Sequence, residues 1–219
     1  TIAIDGDPNG LFWDEATSTL WIADDGNNRV LTYRDADGIA KYADLPAAPA
    51  NGPGLGQLVR TGDGSIVVTR FGYGTVGDIV EIPSGKAPRI IPNLDPTRRR
   101  IGLTVASDGR LFDSWFVRTA AGAHAGSIGE LTREGTEKEV VQGLKKPVGV
   151  LAVGDSIYVS DQDLGQILKA PLATPASYTV FANVAGPDLL AAGPSGSLFT
   201  GSAGTQLYIV TSKGEPSVF

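Results

Sequence analysis

The chain has 219 residues, 42% of them hydrophobic and 19% charged, which is enough apolar material for a large core and too much for a disordered segment. A formal net charge of -6 leaves no electrostatic footprint for a polyanion, so neither nucleic acid nor an anionic membrane is expected as a partner. Cysteine is absent, which excludes disulfides, a thiolate nucleophile and a zinc–thiolate centre, and no apolar run approaches the roughly 18 residues of a membrane-spanning helix.

In chain order, a single unit recurs five times: an apolar strand, a Gly/Asp turn, a second strand ending in a polar residue, a third strand and a short fourth. The clearest copy places strands at 8–13, 20–24, 30–33 and 41–45. In the second copy, the turn Gly62-Asp63-Gly64 precedes strands at 66–70, 79–82 and 89–94. In the third, Ser107-Asp108-Gly109 leads into 111–115, 128–131 and 139–144. Strands at 157–161, 167–170 and 178–184 form the fourth copy, and 198–202, 207–210 and a clipped 217–219 the fifth. Their apolar/polar alternation marks half-buried antiparallel strands, while no stretch sustains a helical apolar period.

Such self-similarity predicts an all-β fold, a β-propeller of four-stranded antiparallel blades, because one small sheet cannot bury both faces alone. We read residues 1–219 as a single domain with five blades, a six-bladed relative having lost one remaining the alternative. Residues 1–9 look like residues 179–188, an outer strand leading into a new unit, so an N-terminal strand is expected to close the last blade and cover its edge. Methionine is absent even at position 1, which reads as a processed or trimmed chain and suggests an extracytoplasmic location, secreted or periplasmic.

Polar residues that recur at one register serve the blade, and those that break the register are better candidates for function. The second strands end at Asp24, Arg70, Trp115, Asp161 and Ser202. Asp24 and Asp161 recur, as turn caps or as an acidic lining. Arg70 breaks the column, as a salt bridge or as a carboxylate-binding fork, and Trp115 does so as core packing or as a stacking platform. Two long loops follow them, 71–77 with Tyr73 and 116–126 with His124, the only histidine. The candidate ligand contacts are therefore Arg70, Tyr73, Trp115, His124 and Asp161, and no catalytic residue is assigned. Arg98-Arg99-Arg100 is either a solvated charge run or an anion-binding rim.

The segment Leu20-Trp21-Ile22-Ala23-Asp24-Asp25-Gly26-Asn27-Asn28-Arg29-Val30 resembles the core of an NHL repeat, and Ser160-Asp161-Gln162-Asp163-Leu164-Gly165-Gln166-Ile167 is the next best copy. The start Pro8-Asn9-Gly10-Leu11 resembles the blade starts of gluconolactonase/regucalcin and strictosidine-synthase-like propellers. That resemblance implies a calcium or zinc ion held by Glu, Asn and Asp at blade starts, where this chain reads Asn9, Gly54, Ile101, Val148 and Asp188. Only Asn9 and Asp188 offer side-chain oxygen, and the family's Glu has no counterpart. Three readings stand: a propeller that binds a small molecule or a protein segment, a metal-dependent lactone or ester hydrolase with a reduced metal site, and a structural module of a larger extracytoplasmic assembly. Oligomeric state is not legible.

Overall fold

Among the described residues, twenty strands fold into five four-stranded antiparallel sheets, each built from consecutive strands, the blades of a β-propeller. The computed structural model describes residues 2–48, 51–74, 76–202 and 204–219. Blade 1 comprises β1–β4 (Pro8–Asp14, Thr19–Asp24, Arg29–Arg34, Gly38–Asp44) and blade 2 comprises β5–β8 (Leu55–Arg60, Ile66–Arg70, Asp78–Ile82, Arg89–Ile90). Blade 3 is β9–β12 (Arg99–Val105, Leu111–Arg118, His124–Leu131, Glu137–Leu144) and blade 4 is β13–β16 (Pro147–Val153, Ser156–Asp161, Gln166–Pro171, Thr179–Asn183). Blade 5 is β17–β20 (Pro187–Ala192, Leu198–Ser202, Leu207–Val210, Pro216–Val218). Among the described residues there is no α-helix, only three one-turn 3-10 segments. The turns obey local chemistry: Gly64 and Gly109 close Asp-Gly turns at φ +85 and +86, where a side chain would be strained.

Contacts divide the chain into two compact units, residues 1–101 with 132–136, and residues 102–131 with 137–219. In the first unit, Trp21, Ala23 and Val30 of blade 1 pack on Leu55, Leu58, Ile66, Val68 and Val80 of blade 2. In the second, Phe112, Ile128 and Val141 of blade 3 meet Val150, Ile157 and Val159 of blade 4, and Tyr158, Ile167 and Ala182 of blade 4 meet Leu190, Leu198 and Val210 of blade 5. Each such side chain contributes about 1.5–3 kcal/mol by burial, so the seams between sheets hold most of the stability.

A polar stitch runs along these seams. The second-strand hydroxyls of Thr69, Ser114 and Ser160 donate to the carbonyls of Ile101, Val148 and Asp188 in the first strand of the following blade, at 2.6, 2.8 and 2.6 Å. A glycine makes room each time: a Cβ on Gly56, Gly102 or Gly149 would lie 2.6–2.7 Å from the hydroxyl oxygen. Blade 1 has Ala23 at the hydroxyl position, and there the amide of Asn9 donates to Leu55 O at 2.6 Å instead.

Two expectations are corrected. Residues 2–4 join no strand, Thr1 lies outside the described residues, and the outer edge of blade 5 is the chain's own Pro216–Val218, paired with β19; the N-terminal closing strand does not form there. The stitch also shows that the blade-2 member of the blade-start column is Leu55, one residue beyond Gly54, because the residue before the seam glycine is the equivalent one in every blade that has it.

Candidate functional site

In the first unit the predicted site residues are absorbed by structure. Arg70 is fully buried, and its fork is filled by Asp78, Nε to Oδ1 at 2.7 Å and Nη2 to Oδ2 at 2.6 Å, while Nη1 donates to Pro46 O at 2.8 Å. Arg70 and Asp78 are cross-strand partners, as are Asp24 and Arg29 in blade 1, where Arg29 Nε meets Asp24 Oδ2 at 2.6 Å. The second blade carries the same ion pair with its charges exchanged between strands, which is why Arg70 seemed to break the column. The fully buried Asp24 also accepts from Asp7 N and Asn27 Nδ2, so the NHL-like residues tie the turn down. Burial pushes the Asp24 carboxyl up, but its bonds to Asn27, Asp7 and Arg29 together hold it below the usual carboxylate value.

Tyr73 is half exposed and held in the left-handed region at φ 46, and its hydroxyl donates to Asp25 Oδ2 at 2.6 Å. That bond to Asp25, with some burial, pushes the phenol up to about 12. The other oxygen of Asp25 accepts from Leu55 N at 2.8 Å, so this carboxylate couples the loop after β6 to blades 1 and 2. Thr75 in the same loop, and Pro49 and Ala50 in the 46–54 connector, lie outside the described residues. The arginine run is not a solvated patch: Arg99 and Arg100 belong to β9, and Arg100 is fully buried.

In the second unit the predicted 116–126 loop is mostly hairpin. Strands β10 and β11 extend to Arg118 and from His124, which are cross-strand partners, and only 119–123 form the turn, closed by Thr119 N to Ala123 O at 2.8 Å. The extension begins on a buried residue, since Phe116 is buried and stacks edge-on against His124 with centroids 5.1 Å apart. Trp115 is buried opposite Ser127 and belongs to the packing. Asp161 is fully buried and accepts from Lys145 N, Lys146 N and Leu164 N at 2.7, 3.1 and 3.2 Å, the work of a turn cap.

In the second unit the predicted contact that keeps some exposure is His124, whose side chain is 19% exposed. Its Nδ1 lies 2.7 Å from Asp163 Oδ2 in the corresponding turn of blade 4. A carboxylate only accepts, so Nδ1 carries the proton of that bond. Lys146 places its ammonium 5.8 Å from the centroid of the Phe116 ring and bonds Gln162 Oε1. Arg118 is the cross-strand partner of His124, and the exposed Lys145 precedes Lys146 in the chain. This corner lies at the ends of blades 3 and 4 that carry the second-to-third-strand turns and the blade starts. Sequence reasoning singled out His124 but missed Asp163 and Lys146; the one available signal was that Asp163 stands in the NHL-like turn where the first copy has Gly26.

At the blade starts, Asn9 donates its amide nitrogen to the stitch, Leu55, Ile101 and Val148 have no side-chain oxygen, and Asp188 Oδ1 accepts from Leu189 N at 3.0 Å. Among the described residues no three His, Cys, Asp or Glu side chains converge.

No family model and no curated protein matches the chain. Among solved structures it is similar to a gluconolactonase from Xanthomonas campestris, with 18% identity over 98% of this chain and 76% of the other at a TM-score of 0.75. It is also similar to a calcium-binding regucalcin from Agrobacterium tumefaciens, at 16% identity over 95% and 72% of the two chains and a TM-score of 0.70. A third is a virginiamycin B lyase from Staphylococcus aureus with quinupristin, made catalytically inactive by replacing a histidine with alanine, at 17% identity, 100% and 86% coverage and a TM-score of 0.65. These likenesses show a shared β-propeller fold.

Proposed function

We propose that the chain is a ligand-binding β-propeller of the gluconolactonase-like kind that uses the corner of its second unit around His124 to hold an acidic group of a small molecule or protein segment. The observation that carries the reading is the His124–Asp163 pair at 2.7 Å, which fixes the imidazole at a hairpin end that also carries Arg118, with the Lys146 ammonium near the Phe116 ring on which His124 stacks. Such a site offers charge-assisted hydrogen bonds to a carboxylate, while Trp115 packs within the blade that carries it. The same pair supports a second reading as a lactone or ester hydrolase, because an imidazole steadied by a carboxylate is the usual arrangement of a general base.

One histidine in the chain makes a clean probe. Titration with acetate, benzoate and glucono-δ-lactone, followed through the His124 ring resonances, is expected to move them with the carboxylates, and Lys146→Ala is expected to weaken that response. Lactone turnover abolished by His124→Ala would favour the hydrolase. Resonances unmoved by all three probes, with no turnover, would sink both readings.

A further inference from the structure

The geometry points to a second binding site, in the first unit, for a small zwitterion that carries both an ammonium and a carboxylate. A cleft of about 580 Å³ lies where the β5–β6 and β7–β8 turns of blade 2 meet the 132–136 turn, all within the first unit. Its volume is within the range of sites for small organic ligands. Six charged residues line it, Asp63, Glu81, Lys86, Arg89, Arg133 and Glu134, three of each sign in a chain whose net charge is -6.

Four of these residues neutralise one another and form the wall. Arg133 grips Asp63 with both terminal nitrogens, at 2.6 and 3.1 Å, and reaches Glu81 at 3.1 Å. Glu81, only 2% exposed, also pairs with Arg89 at 2.5 Å. A buried carboxylate between two guanidinium groups holds both in place, so the wall is rigid before any ligand arrives. Among the described residues Arg89 is engaged through Nη2, on Glu81 and on Arg133 O, and its side chain remains 47% exposed. Its other nitrogens are donors in reserve.

The two remaining charges are the exposed Lys86 and Glu134, neither of which has an ion pair among the described residues. The cleft thus presents one free cation, reinforced by Arg89, and one free anion. A plain anion would gain from Lys86 and Arg89 but meet Glu134, and a plain cation would meet the reverse, so a ligand with both charges satisfies the lining best. Pro83 and Ala87 add an apolar wall for the carbons between the two ends.

The test is a calorimetric titration of the intact protein with ω-amino acids from glycine to 6-aminohexanoate, each beside the matched carboxylate and the matched amine. At least one amino acid is expected to bind about tenfold more tightly than both of its one-ended analogues. Lys86→Ala and Glu134→Gln, both at exposed positions, should each remove that advantage while thermal melting stays unchanged, and His124→Ala should leave it intact. If no amino acid outbinds its analogues, or if the advantage survives both substitutions, the proposal is overturned. Failure here leaves the His124 site untouched, since the two use no residue in common.

Discussion

The inner hairpins of blades 2 and 3 start from the same place in the repeat and end in opposite states. In blade 2, Arg70 at the end of the second strand turns inward and its fork is closed by Asp78 across the hairpin. In blade 3, Trp115 at the same position is buried, and the strands run three residues further before turning, which lifts His124 to the end of the sheet. The charged residue that breaks the pattern is therefore structural, whereas the functional candidate sits beyond an apolar break. In a repeat, departure from register marks a change of local solution, and only exposure separates a rewired strut from a contact.

The comparison can be broken in several ways, with the largest effect expected at Arg70. Arg70→Ala leaves Asp78 unpaired in a buried setting and should cost about 3–5 kcal/mol, read as a large drop in the thermal midpoint. Exchanging the pair, Arg70→Asp with Asp78→Arg, should recover much of that loss, because blade 1 carries Asp24 and Arg29 in that orientation; no recovery would break the equivalence of the two hairpins. Next comes the stitch: Ser160→Ala removes the partner of Gly149 N and leaves Asp188 O with the longer bond from Thr200 Oγ1 at 3.2 Å, and should cost about 1–3 kcal/mol by denaturant unfolding. Asn9→Ala should behave alike if its amide replaces the hydroxyl that Ala23 lacks.

Smaller effects sharpen the picture. The Tyr73 phenol, pushed up to about 12 by Asp25, should return toward about 10 in Asp25→Asn, observed by ultraviolet titration of tyrosinate. The hydrogen bond from Arg133 holds the Asp63 carboxyl well below its usual range. That contribution is complete above the unfolded value of about 4 and is lost as pH falls toward the folded one. Arg133→Ala should therefore lower stability at neutral pH and flatten its further loss below about pH 4 in acid melts. The smallest effect belongs to His124→Ala, within about 0.5 kcal/mol of the parent, consistent with a contact rather than a strut.

Much of the fold was legible in the sequence because alternation and turn chemistry are local. The second strand of every blade begins and ends within a few residues of the expected place, and Asp24 and Asp161 serve as the turn caps that their recurrence suggested. The site was less legible. His124 and Asp163 are 39 residues apart and in different blades, so no local pattern could pair them. The column at Gly54 slipped by one because Gly54-Leu55-Gly56 has two glycines, and only the hydrogen bond from Asn9 shows that Leu55 is the seam residue. Arg70 looked anomalous because its partner changed sign on the next strand, which one column of the repeat cannot show.

By itself, then, the sequence determined the number of blades, their strand order and the positions of their turns, since these follow from apolar period and backbone preference within a few residues. The tertiary structure alone decided which polar residues are spent and which remain available. That choice depends on what the neighbouring blade offers each donor and acceptor once water is removed: a carbonyl for Asn9, a carboxylate for Arg70, and for His124 the carboxylate of Asp163.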